Sequence, residues 1–209
     1  MRLALEFFSQ PLRSINLGSG SPVTLRFFRL LACQLLLVFA CATAQAADGI
    51  DITLAKIEAT DEGYRLAANY SFDLNRDLED ALQHGVKLYF TTEIELVRPR
   101  WYWRDDRAVS AKRTVAISYD VLLRQYYVSL QGSVQQTYQT LDEAMFQIRR
   151  PSRWLIAPKG ALKHGETYEV SLRMYMNREL LQKPLQVNAF NNSDWQLASN
   201  RKTFNYRAE

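Results

Sequence analysis

Three arginines, two tryptophans and a tyrosine fall within seven residues: Arg98, Arg100, Trp101, Tyr102, Trp103 and Arg104. In an extended strand, Arg98, Arg100, Tyr102 and Arg104 share one face, and Trp101 and Trp103 share the other. Guanidiniums on the same face then stand about 7 Å apart, from a rise of about 3.3 Å per residue. That spacing suits a carboxylate, phosphate or glycan held by forked hydrogen bonds. The opposing expectation is that Asp105, Asp106 and nearby glutamates neutralise the arginines on a solvated face. The tryptophans would then simply fill the core.

A secondary basic patch comprises Arg149, Arg150 and Arg153. It continues through Lys159 and Lys163, with no acid between Glu143 and Glu166. Cations at a helix C-terminus complement its dipole, which accounts for Arg149 and Arg150. Anionic lipid headgroups are the other reading of the patch. Trp154-Leu155-Ile156, next to it, is expected to be core.

Enzymatic arrangements find little support. His84 and His164 are the two histidines; each precedes a glycine, His84 at a helix end and His164 at a hairpin position. No metal site and no cofactor are expected from them. Ser71, Ser110, Ser118 and Ser129 lie in strand patterns without a glycine-flanked elbow, and phosphate-cradling glycine loops are absent. Asp105-Asp106 and Glu93/Glu95 leave hydrolysis by paired carboxylates as the remaining enzymatic reading. The expectation is no enzyme.

These residues must be positioned by strands, because period-two alternation dominates the chain. Ile50, Ile52 and Leu54 alternate with polar residues, as do Tyr64, Leu66, Ala68, Tyr70 and Phe72. Further series run through Val109, Ala111, Val115, Ile117 and Tyr119, through Tyr126, Val128 and Leu130, and from Tyr168 to Met176. Faces of this kind belong to antiparallel sheets with one wet side. Two short helices interrupt them. Asn75 caps one that carries Leu78 and Leu82 and stops at Gly85. Thr140-Leu141-Asp142-Glu143 opens the other as a capping box, and Pro151 ends it.

Between Val86 and Leu96 the apolar residues hold even positions, whereas from Val97 to Trp103 they hold odd ones. A strand changes its inward face only through an extra residue or a break, so a bulge or edge exit is expected at Val97–Pro99. The fold expected is mainly β, an antiparallel β-sandwich, immunoglobulin-like in general architecture, with two short helices.

The N-terminus bears on location. Arg26 and Arg29 precede an apolar run from Leu30 to Ala40, and Ala42-Thr43-Ala44-Gln45-Ala46 follows. These are the parts of a secretory signal cut after Ala46. The run is short for a membrane span, which takes roughly 20 residues. An uncleaved anchor, or acylation at Cys41, are the competing readings. Residues 1–46 are thus expected to be signal peptide and leader, and residues 47–209 a single β-sandwich domain. Cys33 and Cys41 are the two cysteines of the chain, so the exported domain would hold no disulfide. The leader also carries four arginines against one glutamate, which reduces the formal net charge from +4 to +1. Nucleic acid loses its electrostatic support as a partner.

Several segments together resemble an uncharacterised family of exported proteobacterial proteins, a domain of unknown function. They are Gly85–Phe90, Arg100-Trp101-Tyr102-Trp103 before an acid, Ser118–Tyr126, Leu141–Ala144, Tyr168–Arg173, Leu181–Leu185 and Trp195–Ser199. The resemblance spans roughly Ile50 to Tyr206, departs from the pattern at Leu181-Gln182-Lys183-Pro184, and assigns no catalytic residue. It implies one periplasmic domain in a Gram-negative bacterium. Such genes often neighbour a nitrogen-regulation-type sensor histidine kinase and a ribosomal-RNA methyltransferase, which points to a sensor kinase as partner. The expected function is a periplasmic, non-enzymatic interaction module that binds another envelope protein through Arg98–Arg104. The alternative is a carrier or sensor for a small anionic ligand or glycan, in a pocket between the sheets lined by Trp101, Trp103 and Trp195. Membrane association is expected only through an uncleaved leader or an acylated Cys41.

Overall fold

The computed structural model describes residues 49–99, 106–130, 133–151 and 153–209. These residues belong to one compact unit, Asp48–Glu209. Among the described residues it is mainly β, with two antiparallel sheets and three α-helices. The chain runs β1 (Asp51–Thr60), β2 (Gly63–Ser71), α1 (Arg76–Gln83), β3 (Leu88–Arg98), β4 (Asp106–Asp120), β5 (Gln125–Leu130) and β6 (Gln136–Tyr138). It continues through α2 (Leu141–Arg149), β7 (Trp154–Pro158), β8 (Thr167–Met176), α3 (Lys183–Asn191) and β9 (Lys202–Arg207). One sheet has the order β1-β2-β7 and the other β6-β5-β4-β3-β8-β9.

The inward residues of both sheets contribute to a single core. Leu66, Ala68 and Tyr70 of β2 are buried with Phe90, Ile94 and Leu96 of β3 and Val170, Leu172 and Met174 of β8. Aromatic contacts connect the two sheets: the Phe72 and Phe90 rings are 5.4 Å apart, and Tyr64 meets Tyr206 edge-on at 6.2 Å. Each fully buried aliphatic side chain here contributes about 1.5–3 kcal/mol through removal from water.

Both expected helices form as their caps dictate. The Asn75 side chain accepts the Leu78 N–H at 3.0 Å, and α1 buries Leu78 and Leu82. Thr140 and Glu143 make a reciprocal capping box, and α2 buries Ala144, Met145 and Ile148. The expectation of only two helices needs correction, because α3 is a third. Pro184 sits in its first turn, where the missing N–H costs nothing. Val, Asn and Phe are mediocre helix formers, so little in Lys183–Asn191 announces a helix.

Three register shifts adjust which residues face inward. On β1, Ile52 opposes Tyr70 and Leu54 opposes Asn69, leaving Thr53 as a surplus residue. Leu54 therefore turns outward, 42% exposed, contrary to the simple alternation, and Ile57 takes the inward phase. The second shift lies between Leu96 and Val97, at the predicted phase change. Its surplus residue is Ala108 on the partner strand, because β3 stays in regular register with β8 through Val97. The third lies between Tyr64 and Arg65, where Ile156 of β7 is surplus. Ile156 is buried, whereas Leu155 is 40% exposed and Trp154 half-buried, so only part of the expected Trp154-Leu155-Ile156 core is core.

Gly63 lets β7 approach β2. Its φ is 141°, and a Cβ there would collide with the carbonyl oxygen of Ala157. His164 lies in the turn between β7 and β8, strands of different sheets, so it is not at a hairpin.

Candidate functional site

Of the predicted recognition segment, Arg100, Trp101, Tyr102, Trp103 and Arg104 lie outside the described residues. Arg98, at the end of β3, is within them. Its guanidinium donates to Asp106 Oδ2 at 2.8 Å and has Glu166 Oε1 at 3.9 Å. Its side chain is largely buried, and its Nε has no hydrogen-bond partner among the described residues. Arg98 thus ties the ends of β3 and β4 to the segment before β8.

The secondary basic patch is divided among separate tasks. Arg149 Nε donates to the Phe72 carbonyl at 2.7 Å, and the same guanidinium pairs with Asp73 and lies over the Phe72 ring. Arg150 lies over the Phe146 ring at 5.0 Å, and Arg153 pairs with Glu58 at 3.2 Å. Each has a local partner.

A different arginine faces the space between the sheets. Arg113 occupies the inward phase of β4, cross-strand from Thr92 of β3. Its guanidinium lies 5.2 Å from the centre of the Trp154 ring of β7, a cation–π distance. Burial pulls its pKa down, with Tyr70 opposing; guanidinium nonetheless stays charged at ordinary pH. Tyr70 of β2 is buried nearby, and its hydroxyl has no hydrogen-bond partner of good geometry among the described residues. Burial pushes this phenol up, while the adjacent Thr92 hydroxyl and the Arg113 charge act the other way. Four strands from two sheets therefore gather a polar seam inside an apolar core.

This seam adjoins a cavity of about 330 Å3. Arg113, Val115, Val128, Leu130, Gln136 and Gln147 are among its walls, supplied by β4, β5, β6 and α2. The volume is at the low end of the range for small-molecule sites, about 300–1,000 Å3. Trp195, expected in such a pocket, instead packs against the core in a 3-10 turn, Ser193–Trp195, and does not line the cavity. No cluster of three or more His, Cys, Asp or Glu suited to a metal occurs among the described residues.

The opposite, outward face of the six-stranded sheet is a charge network. Glu93 accepts from Lys112 at 2.6 Å and from the Tyr175 hydroxyl at 2.8 Å. Partial burial raises the Glu93 pKa, but these hydrogen bonds, with the charges of Lys112 and Arg173, outweigh it and hold the carboxyl below its ordinary range. Burial and the Glu93 hydrogen bond push the Tyr175 phenol up to about 12. Glu95 lies 3.8 Å from Arg107 and 3.9 Å from Arg201.

At the far end of β4, the turn into β5 displays Val121, Leu122 and Leu123, which are 58%, 95% and 61% exposed. The Asp120 carboxylate accepts the backbone N–H groups of Leu122 at 2.9 Å and Leu123 at 3.0 Å. Arg124 closes the turn with a φ of 54°, in the left-handed region. The apolar side chains are thus displayed on a turn whose N–H groups the Asp120 side chain satisfies.

Neither the tip nor the cavity residue featured among the predicted site residues, yet each left a signal. Three consecutive apolar residues in a turn are an error unless they serve something. Arg113 is a charge at an inward position of a strand series, between Ala111 and Val115. Such positions are expected to be apolar.

Fold and surface together define a mainly β domain with a polar seam and small cavity inside and an apolar knob outside. The chain belongs to the family described as Domain of unknown function (DUF4390), whose model matches residues 47–205. No curated protein and no solved structure matches it.

Proposed function

We propose that this domain is a non-enzymatic interaction module of the cell envelope, exported to the periplasm and freed of its leader after Ala46. Its two sheets form a sandwich, immunoglobulin-like in general architecture. The shared core and the ring contacts between β2 and the six-stranded sheet support this. The partner is another envelope protein; a membrane sensor kinase is the specific candidate. The observation that carries the reading is the β4–β5 tip. Three neighbouring apolar side chains stand in water on a turn stiffened by Asp120. A rigid apolar knob suits insertion into a complementary pocket, where buried anchors supply most of the binding energy. The Arg98–Arg104 segment would flank a separate contact, with Arg98 already committed to Asp106.

The experiment is in-cell photocrosslinking from position 122, followed by mass spectrometry. One envelope protein should be captured reproducibly. Leu123→Asp should abolish that capture without moving the thermal midpoint, since an exposed surface change is worth within about 0.5 kcal/mol. Undiminished capture by the folded variant removes the tip from this role.

A further inference from the structure

We propose that the cavity beside β4 and β5 binds a small aliphatic carboxylate, its head group facing Arg113 and its chain lying along Val115, Val128 and Leu130. The walls are chemically divided in the way such a ligand requires. Arg113 supplies a cation, Gln136 and Gln147 supply amide donors, and no acidic side chain lines the cavity among the described residues. The aliphatic wall is built by a cross-strand pair, Val115 opposite Leu130, with Val128 opposite Ile117 beside it.

Position strengthens the charge. A guanidinium held between sheets against Trp154 sits in a medium of lower dielectric than water, where its attraction for an anion is stronger. Near it, though not in the cavity wall, the buried Tyr70 hydroxyl is without a partner of good geometry among the described residues. Buried polar groups in native proteins are nearly always satisfied by protein, water or ligand.

Titration calorimetry of the purified protein tests this with sodium octanoate, 1-octanol and sodium acetate as probes. Octanoate should bind at least tenfold more tightly than octanol or acetate, because both charge and chain are needed. Arg113→Gln should weaken octanoate at least tenfold, while Lys112→Gln, one residue away on the outward face, should leave it unchanged. Absence of octanoate binding, equal affinity for octanol, or full affinity in Arg113→Gln overturns the proposal. Should Arg113→Gln fail to fold, Gln136→Trp fills the cavity from the exposed edge strand β6; retained octanoate affinity in that variant also overturns it. Leu123→Asp should bind octanoate normally, which separates this site from docking at the tip.

Discussion

The two faces of the six-stranded sheet treat charge in opposite ways. Outward, Glu93 meets Lys112 and Glu95 meets Arg107 across the β3–β4 ladder, and Glu95 also faces Arg201 before β9, all at 2.6–3.9 Å. Inward, Arg113 lies on the same strand as Lys112, against Trp154 and near Tyr70. Adjacent residues of β4 thus live in different media. The outward charges have water and one another, so each pair is worth little. The inward charge is partly withdrawn from water, so what it faces weighs more on its cost and its use. Position relative to the core, more than residue type, separates a solubilising charge from a recognition group.

The sharpest way to break this comparison is to reverse charge on each face. Arg113→Glu puts a carboxylate beside the Trp154 ring at a partly buried position and should cost about 1–3 kcal/mol. Lys112→Glu should shift the urea midpoint by only a small fraction of that. Equal shifts from the two substitutions would show that both faces are equally wet.

A smaller effect is expected where backbone, not charge, is at stake. Asp120→Ala removes the acceptor for two N–H groups at the hairpin tip. The expected loss is about 1 kcal/mol by urea denaturation, with capture from position 122 weakened because the knob is no longer held in shape.

On the outward face, Glu93→Gln should lower stability by at most about 1 kcal/mol, since solvent screens the Lys112 pair. The same substitution should bring the Tyr175 titration down from about 12 toward the ordinary phenol value, read by absorbance at alkaline pH. An unmoved Tyr175 titration would mean that Glu93 is not its partner.

The least of these effects is a shallow pH dependence with two limbs. The folded Glu93 pKa lies below its ordinary 4.5, so the stabilisation is present above that value and fades as pH falls through the folded pKa. Tyr175 behaves inversely. Its folded pKa is raised from 10 to about 12, so its stabilisation is full below pH 10 and is lost as pH rises through about 12. Thermal midpoints across pH should fall at both ends, and Glu93→Gln should flatten both limbs together.

Much of the fold was legible from local pattern. Alternation located β2, β4 and β8, Asn75 and Thr140 marked helix starts, and the phase change near Val97 placed a register shift. What escaped had no local signature. The surplus residue was Ala108 across the ladder, a fact about pairing rather than about β3. Leu54 fits its alternating pattern and faces outward because Thr53 is the surplus residue in its pairing with β2. The candidate surfaces followed the same rule. Arg149, Arg150 and Arg153 look like one patch in the chain, but Phe72 with Asp73, Phe146 and Glu58 take them separately.

The order of residues by itself determined where strands alternate, where two helices begin and how charge is spread along the chain. Those properties depend on neighbours a few positions apart, and steric and capping preferences act over that range. Only the tertiary structure decided that β7 pairs with β2 and lies against β4, so that Trp154 covers Arg113 and a cavity opens beside them. Such a site is assembled from strands far apart in the chain, and burial, which strengthens the charge of Arg113, does not exist until the sheets have met.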